Sequence, residues 1–353
     1  MDLSKEELKQ YSRHIKLKEI GLIGQLKLKA AKVLVIGAGG LGSPILQYLA
    51  AAGIGTLAVI DGDVVDQSNL QRQVLYTHHD IGVFKVNAAK EKLQALNPYI
   101  KIITYPFELD NKNAIELFKA YDIIVDGSDN FPTRYLVNDA AVIANKPLVF
   151  GSIYKFEGQV SVFNYKNGPT YRCIFPTPPL ADSVPNCAEV GVLGVLPGMI
   201  GNFQANEVLK ILLDIGEVLS GKILTYNTLT NKQFVIKFDK NPEINVTALQ
   251  TNYQEFCGIV TEEHELSYPM IKNKLDEYLL IDVREDWEHA DFNIGGINIS
   301  LYELEKEFAQ INTDKPILLY CESGNRSNTG KQFLDHLLKD IKVYTLKGGI
   351  QTL

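Results

Sequence analysis

The first half of the chain alternates short apolar runs with segments in which apolar residues recur at helical spacing. A buried strand is predicted over residues 32–36, a helix over 41–52 and a second strand over 56–60. Further strands are predicted over 101–105, 123–126 and 147–150, and further helices over 83–96, 111–120 and 132–144. This alternation is typical of the α/β class and predicts a doubly wound, mostly parallel sheet.

From residue 159 the pattern changes to strands that we expect to pair antiparallel around one long helix. These strands are predicted over 159–165, 222–226 and 232–238, and the helix over 197–213. A proline-rich stretch over 169–185 predicts an irregular crossover loop. This part therefore extends the first sheet and does not continue its parallel pattern.

A polar stretch without clear periodicity, 239–251, indicates a linker there or shortly after it. A second, smaller α/β pattern follows, with strands predicted over 278–283, 316–320 and 342–346 and a helix after Ser327. A length of 353 residues also exceeds one ordinary hydrophobic core. We therefore predict a first domain over 1–245, a linker over 246–264 and a second domain over 265–353.

The composition is that of a soluble globular protein, with 46% hydrophobic and 22% charged residues. No apolar run is long enough to span a membrane, and the acidic start of the chain is unlike a signal peptide. Four widely spaced cysteines without such a signal predict reduced thiols and a cytoplasmic location. The net charge of −7 argues against a nucleic-acid backbone as the main partner.

A glycine-rich run lies between the first predicted strand and the helix that follows it. The run, Gly37-Ala38-Gly39-Gly40-Leu41-Gly42, fits the spacing G-x-G-x-x-G. Glycines permit the tight turn and let backbone amides reach a phosphate at the helix N-terminus. Asp61 ends the second strand, where a carboxylate can hold ribose hydroxyls. The pattern predicts a nucleotide site, and an NAD-dependent dehydrogenase stays open at this point.

Charged and polar residues after the other strand ends favour a triphosphate over a dinucleotide. They are Asp63, Ser68, Asn69, Arg72, Gln73, Lys85, Asp129 and Asn130. Cationic side chains neutralise phosphate, and a carboxylate such as Asp129 can hold Mg²⁺. Because ligands of such sheets bind at the carboxyl ends of the strands, we expect these residues to form one site for ATP and Mg²⁺.

The runs G-A-G-G-L-G, D-G-D, S-N-L-Q-R-Q and D-G-S-D-N, in this order and spacing, resemble the adenylating domain of the ubiquitin-activating superfamily. The likeness covers about residues 8–238 and is to its bacterial branch, the MoeB, ThiF and HesA type, which activates sulfur-carrier proteins of molybdopterin and thiamin synthesis. It implies a Rossmann-like domain and a homodimer in which Arg13 reaches the triphosphate of the neighbouring subunit. The residues that it implies for ATP and Mg²⁺ are Gly37, Gly39, Gly40, Gly42, Asp61, Asp63, Ser68, Asn69, Arg72, Gln73, Lys85, Asp129 and Asn130.

The resemblance implies adenylation of the C-terminal glycine of a small ubiquitin-like protein that ends in Gly-Gly. A sulfur nucleophile would then displace AMP from the acyl-adenylate. Arg72 and Asp129 are expected to be catalytic through positioning and charge neutralisation. In this family a cysteine at the position of Cys187 can bond to the activated carboxyl or to the incoming sulfur. The alternative for Cys187 is a small buried residue without chemistry.

Members of this family usually hold zinc with two C-x-x-C pairs. In this chain the first pair, at 170–173, keeps only Cys173, and the second, at 244–247, has no cysteine. A structural zinc site needs about four nitrogen or sulfur ligands. We therefore predict that the first domain holds no zinc and is stabilised by ordinary packing.

The run Cys321-Glu322-Ser323-Gly324-Asn325-Arg326-Ser327 predicts a loop whose backbone amides surround a thiolate. Together with the runs at 280–285 and 295–298, it resembles a rhodanese domain over about 265–353. The resemblance makes Cys321 the cysteine that carries a persulfide and Arg326 part of its cradle. Four residues between the two suit sulfur, whereas phosphatases on the same fold have five. Cys257 is expected to be structural.

Together the two halves predict a fused adenylyltransferase and sulfurtransferase that leaves a thiocarboxylate on a carrier of the molybdopterin-synthase small-subunit type. A cysteine desulfurase is the kind of sulfur donor that we expect, and Cys187 is the candidate for reductive release. Three alternatives stay open: the same chemistry in thiamin or another sulfur-carrier pathway, non-catalytic docking of a ubiquitin-like tail, and an NAD oxidoreductase.

Overall fold

A computed structural model describes residues 2–179, 191–258, 264–307, 314–338 and 341–353. By their internal contacts the residues divide into two units, Met1–Ile259 and Val260–Leu353. Each unit has its own β-sheet and its own hydrophobic clusters. The two units are therefore described one after the other.

The first unit is built on a sheet of eight strands. These are β1 Lys32–Ile36, β2 Thr56–Ile60, β3 Lys101–Tyr105, β4 Ile123–Asp126, β5 Leu148–Tyr154, β6 Glu157–Phe163, β7 Lys222–Asn227 and β8 Lys232–Lys237. Their order is β3-β2-β1-β4-β5-β6-β7-β8. Pairs from β3 to β5 are parallel, and pairs from β5 to β8 are antiparallel. The predicted doubly wound, mostly parallel sheet is confirmed.

Helices cover both faces of this sheet. They are α1 Lys5–Gln10, α2 Ser12–Ile15, α3 Gly21–Ala30, α4 Gly42–Ala52, α5 Lys85–Leu96, α6 Ala114–Lys119, α7 Phe131–Ile143, α8 Val195–Leu213 and α9 Tyr253–Phe256. The longest, α8, lies against the start of α4, where a Cβ on Gly201 would come within 2.6 Å of the Leu41 carbonyl oxygen. Glycine at this position lets the two helices approach closely, which fixes α4 behind the glycine-rich loop.

The strand β1 buries side chains on both faces of the sheet. Val33 and Val35 belong to the hydrophobic cluster of α4, α5 and α8, whereas Leu34 and Ile36 belong to that of α6 and α7. Successive side chains of a strand point to opposite faces, so a strand covered on both faces is apolar throughout. This explains the continuous apolar run from which the strand was predicted.

The second unit has a sheet of five strands. These are β9 Glu265–Leu266, β10 Leu279–Asp282, β11 Ile297–Asn298, β12 Ile317–Tyr320 and β13 Val343–Leu346. Their order is β11-β10-β12-β13-β9, and every pair is parallel. The helices are α10 Tyr268–Ile271, α11 Asp286–Asp291, α12 Leu304–Glu307 and α13 Asn325–Leu337. Because β12 is the central strand, Cys321 emerges from the middle of the carboxyl edge.

Residues after β8 pack into the core of the first unit. Tyr253, Phe256 and Cys257 belong to or contact the hydrophobic cluster that includes α7. These residues fall within the linker predicted over 246–264, so this part of that stretch is folded against the first unit. The sequence signal was weak because few apolar residues precede Tyr253.

The observed bounds otherwise depart from the predicted ones chiefly at β5. It runs on to Tyr154 because the antiparallel pairing with β6 continues to the turn, where Tyr154 faces Glu157. The predicted crossover loop, 169–185, contains one 3₁₀ turn, Tyr171–Cys173, and its last residues lie outside the described part of the chain. Within the described residues, the helices are too short or too polar to cross a membrane.

Candidate active sites of the two units

The glycine-rich loop follows β1 and turns sharply into α4. Gly37 has a φ of +88°, and a Cβ there would lie 2.9 Å from the Gly127 carbonyl oxygen. A Cβ on Gly42 would come within 2.1 Å of the Gly37 carbonyl oxygen. Gly39 and Gly40 face side chains instead, since a Cβ on Gly39 would lie 3.7 Å from Gln73 Nε2 and one on Gly40 would lie 3.1 Å from Pro197. The loop therefore presents backbone, as a phosphate-binding loop requires.

Asp61, directly after β2, holds this loop through a hydrogen bond to its backbone. Its carboxylate accepts hydrogen bonds from the backbone amides of Ala38 and Asp63, both at 2.8 Å. Burial raises the pKa of the Asp61 carboxyl, and the nearby Lys85 ammonium opposes that rise. The Tyr76 hydroxyl donates to the Ala38 carbonyl at 2.7 Å. Asp61 thus has a structural task in the loop besides the ribose contact that we predicted.

Lys85 begins α5 and turns its ammonium toward the same edge of the sheet. Its Nζ lies 2.7 Å from an Asp63 carboxylate oxygen. The Lys85 side chain is only 8% exposed, whereas the Asp63 side chain is 70% exposed. A buried cation is thus held beside the glycine-rich loop by a carboxylate that faces solvent.

The predicted run 68–73 lies on a 3₁₀ turn, Gln67–Asn69, and the residues after it. Arg72 donates from Nη1 to the Ser68 carbonyl at 3.1 Å, and its Cγ would lie 3.7 Å from a Cβ on Gly40. Gln73 is 4% exposed, and among the described residues its Oε1 has no hydrogen-bond partner. The structure therefore brings Arg72 and Gln73 to the glycine-rich loop.

Asp129 and Asn130 follow β4 and are exposed. Asn130 is the N-cap of α7, and its side-chain oxygen accepts from the Thr133 amide at 2.9 Å. Its amide nitrogen lies 3.4 Å from an Asp129 carboxylate oxygen. Asn130 is thus partly used in capping a helix, while the Asp129 carboxylate lies exposed beside it.

Two further groups at this sheet edge were not among the predicted site residues. Asp126, at the end of β4, is 1% exposed, and its carboxylate accepts from the Ser128 amide at 2.9 Å. Gln204, on α8, donates to the Asp126 carbonyl at 2.7 Å. Burial raises the pKa of the Asp126 carboxyl. An acid at a strand end was visible in the sequence, but no local signal connected Gln204, far along the chain, to it.

Arg13 lies exposed on the short helix α2, two residues after the buried Tyr11. The side-chain amide of Asn97 donates hydrogen bonds to the Tyr11 hydroxyl at 2.8 Å and to the Ala50 carbonyl at 2.6 Å. These bonds tie the N-terminal helices to the core. The role of Arg13 in a neighbouring subunit stays a prediction.

Of the predicted cysteines in the first unit, Cys187 lies outside the described residues. Cys173 accepts hydrogen bonds at its sulfur from the backbone amides of Thr170, at 3.3 Å, and Asn241, at 3.4 Å. In the described part of the chain, no three histidine, cysteine or acidic side chains are grouped to hold a metal ion. That the unit holds no zinc stays a prediction.

In the second unit, Cys321 directly follows β12 and is 1% exposed. Its sulfur accepts hydrogen bonds from the backbone amides of Gly324, at 3.2 Å, and Ser327, at 3.3 Å. Gly324 has a φ of +92°, which lets the loop turn into α13. Amides at the start of a 13-residue helix stabilise negative charge, so the loop suits a thiolate or a persulfide.

Arg326 forms a bidentate ion pair with Glu288, in which Nη1 and Nη2 each lie 2.6 Å from a carboxylate oxygen. The hydrogen bonds from Arg326 lower the pKa of Glu288 below its ordinary range. A second arginine, Arg284, pairs with Asp282 at 2.8 Å and with Glu322 at 3.2 Å. Arg326 was predicted from the sequence as part of the loop, but Glu288 was not, because it lies on α11 and is separated from Arg326 by 38 positions.

These two sites define the protein as a phosphate-binding α/β unit joined to a unit with a sulfurtransferase loop. Residues 11–248 match the ThiF family, and residues 264–352 match the rhodanese-like domain. The chain therefore belongs to the ThiF family and ends in a rhodanese-like domain. The resemblance drawn from the sequence motifs is confirmed.

Named relatives share one or both of these parts. A probable adenylyltransferase/sulfurtransferase MoeZ of Mycobacterium tuberculosis is 43% identical over 343 residues, which cover 92% of this chain and 87% of the relative. A sulfur carrier protein adenylyltransferase of Thermus thermophilus is 49% identical over 270 residues, 73% of this chain and 100% of the relative. The chain is therefore an adenylyltransferase with a sulfurtransferase domain.

A solved structure resembles this chain in fold over about two thirds of its length. The crystal structure of E. coli MccB with MccA-N7isoASN has a TM-score of 0.61 and 23% identity, and the match covers 69% of this chain and 75% of that chain. At this identity the likeness concerns the fold alone.

Proposed function

We propose that this enzyme adenylates the C-terminal glycine of a ubiquitin-like sulfur carrier ending in Gly-Gly and then replaces one carboxylate oxygen with sulfur. The relative from Thermus thermophilus is named for adenylation of a sulfur carrier, and that from Mycobacterium tuberculosis for both reactions. A carrier of the molybdopterin-synthase small-subunit type, a cytoplasmic location and a homodimer belong to the same proposal.

The proposal rests on one combination of features. In one unit, backbone amides donate to the Cys321 sulfur, and in the other, the Lys85 ammonium lies beside a glycine-rich loop. A cation and the backbone amides at a helix N-terminus suit the triphosphate of ATP. Two N–H groups on a buried sulfur suit a persulfide. A dehydrogenase would need neither the ammonium at the loop nor the cysteine, and a docking module would need no buried cation.

In the adenylation step, the carrier's terminal carboxylate attacks the α-phosphorus of ATP, and the bond to pyrophosphate breaks. The loop amides, Lys85 and Arg72 would hold the phosphates, with Arg13 supplied by the partner subunit. Asp129 would bind Mg²⁺, which neutralises phosphate charge when it is present. The remaining residues assigned to the nucleotide are Gly37, Gly39, Gly40, Gly42, Asp61, Asp63, Ser68, Asn69, Gln73 and Asn130. Because all of these act on charge and position, they would speed the step without forming a bond.

In the sulfur step, the outer sulfur of the Cys321 persulfide attacks the carbonyl carbon of the acyl-adenylate, and AMP leaves. The product is an acyl disulfide between the carrier and Cys321. A thiol then attacks the Cys321 sulfur, so that the carrier leaves as a thiocarboxylate and a cysteine disulfide remains. Cys187 is the candidate thiol, and an external thiol would reduce the disulfide for the next turnover. A cysteine desulfurase is the proposed source of the persulfide sulfur.

Carrier-dependent ATP–pyrophosphate exchange tests the adenylation half. Purified full-length enzyme is incubated with labelled pyrophosphate, ATP, Mg²⁺ and each small Gly-Gly-ending protein of the same genome. Exchange with one carrier, lost when its last glycine is deleted, supports the proposal and identifies the pathway. Absence of exchange with every carrier would contradict adenylation, and binding of NAD in place of ATP would favour an oxidoreductase.

A further inference from the structure

Two arginines beside the Cys321 loop are paired with carboxylates. Arg326 is held by both oxygens of Glu288. Arg284 donates to Asp282 through two nitrogens and reaches Glu322 only at 3.2 Å. Among these contacts, three carboxylates share two guanidinium groups. In these contacts, therefore, neither guanidinium group is left without a carboxylate when it meets an anionic sulfur donor.

Glu322 is the least neutralised of these carboxylates. It follows Cys321 directly, and its side chain is 50% exposed, whereas those of Asp282 and Glu288 are 0% and 15% exposed. Its partner Arg284 is 3% exposed and donates more hydrogen bonds to Asp282 than to Glu322. The backbone of Glu322 is fixed by the Gln351 amide, which donates to its carbonyl at 3.0 Å. The residue that follows the reactive cysteine in the chain thus carries a half-exposed negative charge.

We propose that Glu322 makes the Cys321 loop select sulfur donors without negative charge near the transferable sulfur and reject small dianions. The inference rests on the proposed sulfur-transfer function of Cys321. A like charge in a partly desolvated site repels more strongly than one in bulk water. Repulsion of the wrong donor is a common source of specificity. Arg326 does not offset it, because Glu288 neutralises that side chain.

The transfer itself is the same for every persulfide donor. The Cys321 thiolate attacks the outer sulfur of R–S–S⁻, the sulfur–sulfur bond of the donor breaks, and R–S⁻ leaves. One sulfur–sulfur bond forms as another breaks, so no outside oxidant or reductant is needed. The charge on R can therefore be varied without a change in the reaction.

The test compares the persulfides of cysteamine and 3-mercaptopropionate, which are similar in size but carry an ammonium and a carboxylate, respectively. The rate of sulfur loading of Cys321 in the full-length chain is measured by mass spectrometry with each donor. For the wild type we expect faster loading from the cysteamine persulfide. Glu322→Gln should reduce the ratio of the two rates about fivefold, and Glu322→Arg should invert the preference. Added salt should reduce the wild-type ratio.

Glu277→Arg is the matched control. Glu277 is exposed and precedes β10, at the sheet edge opposite the Cys321 loop, so this charge reversal should leave the ratio unchanged. An unchanged ratio in both Glu322 variants, or an equal shift in Glu277→Arg, would overturn the role of Glu322 while loading itself persists. Absence of loading from either donor in the wild type would overturn the sulfur-transfer function together with the preference.

Discussion

The ammonium of Lys85 lies 2.7 Å from the carboxylate of Asp63, beside the glycine-rich loop of the first unit. Lys85 is largely buried, and Asp63 faces solvent. Asp61, two residues before Asp63, holds the loop by its bond to the Ala38 amide. The cation is therefore already in place, and a phosphate could replace Asp63 as its partner without a large movement of the chain.

Lys85→Met should remove this cation and leave the apolar part of the side chain. We expect kcat/KM for carrier-dependent pyrophosphate exchange to fall by about 10²–10³, because one preorganised charge facing the phosphates is lost. Lys92→Met is the control, since Lys92 lies on the same helix and pairs with Asp80 at 2.9 Å. An equal loss in both variants would mean that the helix, not the cation, had been damaged.

Gly42→Ala should distort the glycine-rich loop, because the new Cβ would lie 2.1 Å from the Gly37 carbonyl oxygen and the two would clash. We expect ATP binding, measured by calorimetry, to be lost or weakened by more than tenfold. Gly198→Ala, on α8, is the matched control, since a Cβ there has no neighbour within 4 Å. That variant should bind ATP normally and gain about 0.5–1 kcal/mol of stability from the better helix former. Normal ATP binding by Gly42→Ala would show that the loop is not the phosphate site.

The pair of Arg172 and Asp139 should stabilise the first unit strongly. The Asp139 carboxylate accepts two hydrogen bonds from Arg172 at 2.7 Å and one from the Tyr253 hydroxyl at 2.7 Å. Both charged side chains are nearly inaccessible. Asp139→Asn should lower the free energy of unfolding by about 3–5 kcal/mol, because it leaves a buried cation unpaired. Urea denaturation measures this loss, and a change below 1 kcal/mol would contradict it.

The exposed pair Lys119–Glu116 offers a control, in which Glu116→Gln should cost under about 1 kcal/mol.

The ion pair of Glu288 and Arg326 predicts a pH dependence of the second unit. Arg326 lowers the pKa of Glu288 below its ordinary value of 4.5. A carboxyl whose pKa is lowered by folding stabilises the fold above its unfolded pKa, and this contribution is lost as the pH falls through the folded pKa. The stability difference between wild type and Glu288→Gln should therefore be constant from neutral pH to about 5 and shrink below it. A difference that grows as the pH falls would contradict this assignment.

The sequence predicted what depends on local pattern. The strands β1, β2, β3 and β4 had the bounds expected from their apolar runs, and the glycine-rich loop lies where its spacing placed it. Contacts between distant residues could not be predicted in this way. Glu288 meets Arg326, and Asn241 meets Cys173, only because the sheets bring separate loops together. Asn130 lies at the predicted sheet edge but also caps a helix, a role that its motif did not distinguish from ligand binding.

The proposed function requires that one chain activates a carboxylate and then delivers sulfur to it from Cys321. The direct measurement is intact-mass analysis of a Gly-Gly carrier after incubation with the full-length enzyme, ATP, Mg²⁺, a sulfur donor and a reducing thiol. Exchange of one oxygen for sulfur is expected, dependent on ATP and abolished in Cys321→Ser. The Cys257→Ser variant should still exchange oxygen for sulfur, because burial raises the pKa of the Cys257 thiol to about 11 and makes that thiol unreactive. A carrier that stays a carboxylate under every condition, or a thiocarboxylate that still forms in Cys321→Ser, would contradict the account.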